Sequence, residues 1–337
     1  MANPITTSYI DSFLEGVRAK FYEVYSQGDE QLKLFDVVSL FGSLTNVSPL
    51  VRRIDATGRQ KIEVTYTTGL VGYLEPRVEG QPFPMSEYLK GIITEVQPFQ
   101  FARSIRVTRE SYERRSPEYS AALDEAKKIR QNAVLTASKH IFDWFNHVRT
   151  APADLPPQLF PYGDGVKFAS TQHPLVGGGV GSNILATSPA LSVDALENAI
   201  LLAQNTVDDT GKPMPYMSGQ IYLVVPPALV RRAWEIAETP NTPYTNNFVA
   251  NIFQGKYTVI TSPFLSATHG GSNTRWFLID GANSPIVHVV FKDITAEDWF
   301  DNVTKTYVFD VHAEWKVGAF NWRGVVVSEG NGSIITD

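Results

Sequence analysis

KIEVTY, residues 61–66, alternates apolar and polar side chains with the period of two that predicts a β-strand. Residues 99–108, FQFARSIRVT, repeat the alternation, and only Arg103 interrupts the apolar face of Phe99, Phe101, Ile105 and Val107. The stretch between the two runs, residues 69–87, is rich in Gly and Pro, too broken to be regular and too long for a tight turn. We therefore predict a long hairpin arm in which the second run returns along the first.

The length of this arm predicts a contact with another molecule. About twenty residues out and twenty back would reach on the order of 60 Å, which exceeds the radius of a compact domain of this size. An arm that long needs a partner for its apolar face, and a neighbouring copy of the chain is the simplest one. The candidate contact residues on the arm and its tip are Ile62, Val64, Tyr66, Phe83, Met85, Tyr88, Phe99 and Phe101.

A long amphipathic helix is predicted directly after the arm. Ser116 suits the N-cap position and Pro117 the first helical position, where a missing N–H costs nothing. No Gly or Pro follows before Pro152, so the pattern predicts about 33 helical residues, roughly 50 Å of helix. Its apolar stripe, at spacings of three and four, is Tyr119, Ala122, Ala126, Ile129, Ala133, Ala137, Ile141, Trp144 and Val148.

Composition limits the class of protein. With 337 residues, 43% of them hydrophobic, the chain can bury a sizeable core. It has no cysteine, which excludes disulfides, thiolate metal sites and a cysteine nucleophile. A net charge of −6 disfavours a general nucleic-acid binder. Apolar runs are too short for a membrane span, and residues 1–11 lack the pattern of a signal peptide, so a soluble protein made in the cytosol is expected.

The remaining sequence predicts an α/β lobe and closing strands. Residues 1–50 are interpreted as one helix and an irregular segment, and residues 151–165 and 168–183 as extended loops. Ser192 caps a helix that runs to about Asn205, and a buried strand, residues 221–225, precedes a second helix that carries Trp234. Two further strands, 257–260 and 276–279, complete the lobe, after which residues 285–291 and 307–317 form closing strands.

The sequence contains no group of residues in a pattern that is typical of a catalytic or metal-binding site. His140 and His147 share a helix face but lie about 10 Å apart along it, too far for one ion. His173 has no nucleophile elbow near it. The glycines of residues 177–181 complete no phosphate-binding motif, and the carboxylate pairs Asp208/Asp209 and Glu235/Glu238 suit a turn and a solvated helix face. We expect no catalytic, cofactor-binding or metal site, and no enzyme activity.

One basic concentration lies where the arm meets the helix. Its arginines alternate with Glu110 and Glu113, so the charges are mixed rather than uniformly positive. Contact with phosphate is the alternative, but mixed charges favour ion pairs with neighbouring chains that fix their register. The arginines are Arg103, Arg106, Arg109, Arg114 and Arg115.

Taken in order, these elements resemble the major capsid protein of tailed bacteriophages, with the HK97-type fold, and within it the Mu-like head subunits. The residues that carry the resemblance are the hairpin followed by SPEY (116–119), FASTQHPLVGGGVGSN (168–183), YLVVPPAL (222–229), GKYTVI (255–260) with SPFL (262–265), and EWKVGA (314–319). No single motif is specific to that family, and the resemblance lies in the order and spacing of these motifs over some 300 residues.

The resemblance implies an α+β fold of the HK97 type with four regions. It makes residues 1–55 an N-terminal arm, 56–115 an extended loop, 116–189 together with 283–337 a peripheral domain, and 190–282 an axial domain. Within the peripheral domain, residues 116–149 form the spine helix.

The function implied by the resemblance is a shell. Hexamers and pentamers of the chain would tile an icosahedral container for double-stranded DNA, which the shell faces without sequence-specific binding. The implied partners are other copies, a separate scaffolding protein, a portal and a decoration protein, with no membrane. The product would be a virion capsid, made and assembled in the cytoplasm of a bacterial host. A lysine-based cross-link between subunits is not expected, because no lysine lies between Lys61 and Lys90.

Two other classes stay open at the level of sequence. An α/β hydrolase or transferase could be built on residues 190–282, but it would need a convergent polar site. A β-rich tail or adhesion protein could also use long hairpins, but such proteins show repeats or many evenly spaced strands and have no need of so long a helix.

Overall fold

The computed structural model of the chain describes residues 50–66, 92–114, 117–209, 211–214, 216–217, 219–239, 251 and 253–335. Mixed helices and sheets, in the order expected from the sequence, make the fold α+β. The predicted helix within residues 1–50 and the tip of the arm lie outside the described residues, as do Ser116 and Arg115.

The larger described sheet is built around a long hairpin near the end of the chain. Strands β11 (Ile286–Asp301) and β12 (Thr306–Ala319) are antiparallel, and two register shifts near Lys292 mark bulges that bend β11. Strand β1 (Arg52–Asp55) joins β11 in parallel, and β4 (Gln100–Thr108) joins β12 antiparallel. The order is therefore β1-β11-β12-β4, and the two-residue β5 (Leu159–Phe160) also pairs with β12. We call this the main sheet.

The arm differs from its prediction in one important respect. Strand β2 (Ile62–Tyr66) pairs with β3 (Ile92–Val96), not with residues 99–108, and these two strands form a separate ladder of five residues each. Residues 100–108 form β4 in the main sheet instead. The prediction of which face of β4 is buried is correct, since Ile105 and Val107 are buried. The predicted partner strand is wrong, because alternation within a strand does not indicate which strand pairs with it. We call β2, β3 and the residues between them the arm hairpin.

The long helix is confirmed to within a turn. A short helix, α1 (Arg109–Glu113), is followed by α2 (Pro117–Asn146), whose 30 residues span roughly 45 Å. Of the predicted stripe, Ile129, Ala137, Ile141 and Trp144 are buried. The last turns are buried on every side, because all residues from His140 to Phe145 lie in the interior. The helix runs through the molecule there rather than along its surface.

The α/β lobe has a four-stranded sheet of its own. Ser192 caps α3 (Val193–Gln204) by accepting from the Ala195 N–H, as predicted. Strand β8 (Ile221–Val225) and helix α4 (Val230–Glu238) follow, and then β9 (Tyr257–Thr261) and β10 (Trp276–Asp280). With the last strand of the chain, β13 (Val325–Ser328), the sheet order is β13-β10-β8-β9.

The last strand, β13 (Val325–Ser328), pairs antiparallel with β10 in the lobe, although the resemblance assigns residues 283–337 to the peripheral domain. The chain thus crosses from the main sheet back into the lobe after Ala319. The long loop between α2 and α3 is confirmed as mostly irregular, with a two-residue ladder of β6 (His173–Pro174) and β7 (Val180–Gly181).

One core joins the two sheets through the end of α2. Phe142 and Phe145 pack against Phe264 and Phe277 of the lobe. The same cluster of buried side chains contains Ile141 and Val148 from the helix region, Ile286, Val317 and Ala319 from the main sheet, and Val224 and Ile279 from the lobe sheet. The two lobes therefore share a continuous interior.

Candidate assembly surface

The arm hairpin is fixed at its base by apolar packing. Ile62 and Val96 are opposite each other in the ladder, and both are buried in a cluster with Phe160, Val287 and Phe291. Ile62 therefore faces its own subunit and not a neighbour, which corrects its assignment as a contact residue. The side chains of Val64 and Tyr66 lie outside the described part of the chain.

A polar contact locks the second strand of the ladder. Thr94 is buried, and its Oγ1 accepts a hydrogen bond of 3.1 Å from the Gly163 N–H. A Cβ on residue 163 would lie 2.8 Å from that oxygen, so only glycine permits the approach. On the opposite face of the ladder Ile93 is 41% exposed. In the described part of the hairpin, one face is thus packed on the body, and Ile93 on the other face is exposed.

Phe99 and Phe101 also pack within the chain. Their rings meet edge-on at 5.2 Å, and Phe101 stacks on Trp315 with centroids 4.7 Å apart. Both side chains remain partly exposed. Phe101 also lines a groove of about 430 Å³ between α2 and the main sheet.

The arginines are only partly available to neighbours. Arg103 pairs with Glu125 of α2 at 2.6 Å and Arg109 with Glu113 at 2.8 Å, so two of the expected inter-subunit ion pairs are made inside the chain. All four side chains are partly exposed, and such pairs stabilise by little. Arg106 and Arg114 are exposed at the end of β4 and after α1, where they can still meet another subunit.

A buried histidine pair marks the crossing of α2 and the main sheet. Trp315 Nε1 donates to His140 Nδ1 at 3.1 Å, and the centroid of the His288 ring lies 5.8 Å from that of Trp315. Burial lowers the pKa of His140 to about 4 and that of His288 to about 3, the latter helped by the nearby charge of Arg53. Both rings are neutral at pH 7. Both are buried residues of the interior packing.

The free end of the β11–β12 hairpin exposes apolar groups that the sequence analysis missed. Val303, in the turn, is 91% exposed, and Trp299 is 49% exposed with its Nε1 donating to Asp310 Oδ2 at 2.8 Å. The available signal was the alternation of residues 294–300, which continues the strand predicted to stop at Phe291. Exposed apolar side chains at a protruding turn are suited to contact with another molecule.

The other sequence candidates have structural roles. His173 is fully buried, bonds Asp164 Oδ2 at 2.6 Å and stacks on Trp322. Asp209 pairs with the buried Arg323, and the Asp208 carboxylate accepts from the Lys212 N–H to close the turn. These contacts hold the long loop and the lobe together and do not leave a reacting group exposed.

Metal and membrane sites were sought separately. Within the described ranges, no group of three or more His, Asp or Glu side chains is placed to hold a metal ion. Across the same residues, no helix combines the length and apolarity that a membrane span requires.

Comparison with known families places the chain. A family model of phage capsid proteins matches residues 93–328, about 70% of the sequence, and the chain belongs to that family. Search of curated proteins gives no match.

Three solved structures are similar in outline. A virus-like particle from Pyrococcus furiosus is 12% identical (TM-score 0.44, covering 88% of this chain and 98% of that one). The mature capsid of bacteriophage PhiM1 is 15% identical, with a TM-score of 0.47, and the match covers 83% of this chain and 85% of that one. The procapsid of bacteriophage JBD30 is 12% identical, with a TM-score of 0.43, and the match covers 96% of this chain and 76% of that one. The family match, not these distant likenesses, carries the assignment: the chain is a phage capsid protein.

Proposed function

We propose that this capsid protein builds its shell from hexamers and pentamers, tied together by the arm hairpin, which crosses onto the next subunit around each ring. The observation that carries this is the ladder of β2 and β3. It forms a sheet separate from the main sheet, its base is fixed by Ile62 and Val96, and Ile93 is left exposed. An element fixed at one end and free on one face supports a repeated heterologous contact.

In this proposal the parts of the chain have distinct tasks. Residues 1–55 form an N-terminal arm, 56–115 the extended loop, 116–189 and 283–337 a peripheral domain, and 190–282 an axial domain about the ring axis. The pairing of β13 with β10 favours moving the last strand into the axial domain. Exposed Arg106 and Arg114, and the tip residues Phe83, Met85 and Tyr88, would meet the neighbour.

The partners of the shell belong to the same proposal. A separate scaffolding protein would set the curvature during assembly in the bacterial cytoplasm. A portal would occupy one vertex, a decoration protein could cover the outside, and the inner face would meet packaged DNA without reading its sequence. The net charge of −6 is consistent with a wall that does not grip nucleic acid.

Deletion of residues 79–87 tests the role of the arm. The deleted residues lie outside the described residues that form the core, and we expect the subunits to keep their thermal melting temperature and circular dichroism. Sedimentation and negative-stain microscopy, with and without a co-expressed scaffold, should show subunits but no shells. As a control, replacing residues 79–87 with a Gly/Ser linker of equal length separates loss of reach from loss of specific contacts. Normal shells from the deleted chain would contradict the proposal.

A further inference from the structure

Residues 330–335 form an irregular segment that docks on the loop before α3, and we call this segment the strap. The Gly332 N–H donates to the Ser188 carbonyl at 2.8 Å, and the Ile335 N–H donates to the Ala186 carbonyl at 2.8 Å. The Ile335 side chain packs against the buried cluster that joins the two lobes. Two backbone bonds and one apolar contact therefore hold the strap in place.

The strap contains the single Asn-Gly pair of the sequence, Asn331–Gly332. Both residues are exposed and lie outside helices and strands, and Gly332 has a φ of +73°. In an Asn-Gly pair the backbone nitrogen of the glycine can attack the side-chain amide carbon of the asparagine, because glycine has no Cβ to obstruct the approach. The two reacting groups are already linked through the backbone, so the attack is intramolecular. The pair is therefore the place in the sequence most open to this reaction.

Ser333 makes the asparagine side chain more reactive. Asn331 Oδ1 accepts two hydrogen bonds from this residue, one from its N–H at 3.0 Å and one from its hydroxyl at 2.6 Å. When the amide carbon is attacked, negative charge develops on that oxygen. Donors that already point at the oxygen stabilise this charge. The local geometry thus favours the attack.

The docking of the strap opposes the same attack. The Gly332 N–H is bonded to the Ser188 carbonyl, and its nitrogen must leave that partner and lose its proton before it can bond to Asn331. Local opening of the strap provides this freedom. Because Ile335 holds the strap on the core, its packing controls how often the reacting nitrogen is released.

We propose that Asn331 is a site of spontaneous deamidation and that undocking of the strap sets its rate. The Gly332 nitrogen attacks Asn331 Cγ, its proton passes to water, and the side-chain nitrogen leaves as ammonia. The product is a cyclic imide shared by the two residues. Water then opens the imide at one of its two carbonyls and leaves aspartate or isoaspartate at position 331.

The modification changes the strap in two ways. Either product adds a negative charge two residues from Glu329. Isoaspartate also lengthens the backbone by one carbon, which displaces the Gly332 N–H from the Ser188 carbonyl. The strap of an isoaspartate subunit therefore holds the loop before α3 less firmly than that of a new subunit.

Incubation of purified subunits at mildly alkaline pH, followed by peptide mass spectrometry, tests the site. In the native wild type, Asn331 should gain one mass unit more slowly than in the same chain unfolded in urea, where the strap is fully open. Ile335→Ala should raise the native rate roughly fivefold, because the strap loses its apolar contact. Ile334→Ala removes a neighbouring side chain that is 77% exposed and should keep the wild-type rate.

Three outcomes would overturn the proposal. If Asn331 stays unmodified in the unfolded chain, the pair is not a deamidation site. Equal rates in native and unfolded wild type would show that docking gives no protection. Equal native rates in Ile335→Ala and wild type would show that the packing of Ile335 does not control the opening.

Replacement of Ser333 tests the activating contact. Ser333→Ala keeps the N–H donor but removes the hydroxyl, so the rate of deamidation in Ile335→Ala subunits should fall roughly threefold. Ser333→Thr, which keeps a hydroxyl, is the matched control and should react at the rate of Ser333. A rate unaffected by Ser333→Ala would remove the hydroxyl from the mechanism. All of these measurements use unassembled subunits, so they do not depend on the formation of shells.

Discussion

His140 shows how a single residue links the packing of the fold to pH. Its ring is buried, and its Nδ1 accepts from the Trp315 Nε1, so the neutral form is the one that fits. The titratable groups that act on it are Lys139 on the same helix and His288, which lies near Arg53 and Asp293. Protonation would place a positive charge where burial already opposes one.

This arrangement predicts a loss of stability in mild acid. The pKa of His140 is lowered from 6.5 to about 4 by burial, so the unfolded chain binds the proton first as pH falls. The contribution of neutral His140 is complete above pH 6.5, declines below it, and is lost as the pH reaches about 4. By pH 5 the free energy of unfolding should fall by about 2 kcal/mol from this residue alone.

The measurement is urea unfolding of unassembled subunits at pH 7, 6 and 5. His140→Gln keeps an acceptor for Trp315 but does not titrate, so its stability should depend less on pH than that of the wild type. His147→Gln, on the same helix and only partly buried, is the control and should keep the wild-type slope. An unchanged slope in His140→Gln would show that another group causes the acid sensitivity.

At the scale of elements, the arm hairpin combines an anchored face with a free one. Ile62 is buried among Val96, Phe160 and Phe291, whereas Ile93 is 41% exposed on the other face of the same ladder. The two isoleucines thus have the same chemistry in opposite environments.

Truncating these two side chains should have different effects. Ile62→Ala should lower the free energy of unfolding by roughly 2 to 4 kcal/mol, because it leaves a cavity in a closed cluster. Ile93→Ala should change it by about 0.5 kcal/mol or less. Denaturant unfolding of subunits measures both, and the yield of particles is then compared. Equal losses of stability would mean that the ladder is not anchored through the face of Ile62.

Much of the element order was predictable, and the failures have a common cause. The long helix, the cap at Ser192 and the buried strand Ile221–Val225 are local patterns, and the structure confirms them. Partner choice is not local. Residues 99–108 read correctly as a half-buried strand, yet β12, some 200 residues later, proved to be the partner. Ile92–Val96, which pairs with β2, was missed because two adjacent isoleucines blur its alternation.

The contact residues were harder to predict for a related reason. Burial of an apolar side chain can be read from periodicity, but periodicity does not reveal whether the burying surface belongs to the same subunit. Ile62 and Phe101 prove to pack on their own chain. Val303 was missed because a single valine in a turn has no pattern around it.

At the scale of the whole molecule, the turn of the β11–β12 hairpin predicts a contact between subunits. Val303→Asp should leave subunit stability within about 0.5 kcal/mol of the wild type, since the side chain is 91% exposed. Its shells should form in roughly tenfold lower yield if the turn is buried against a neighbour, where an unpaired carboxylate is costly. Asn302→Asp adds the same charge at the adjacent exposed position and serves as the control. Equal yields from all three chains would exclude the turn from the contact.

The shared interior around the end of α2 has a mechanical consequence. Phe142 and Phe145 bind both sheets into one close-packed body, and such interiors resist compression and transmit strain. A load applied to one lobe therefore reaches the other with little deformation between them. In a shell made of such subunits, each subunit is stiff. A change in the diameter of the shell therefore takes place at the contacts between subunits.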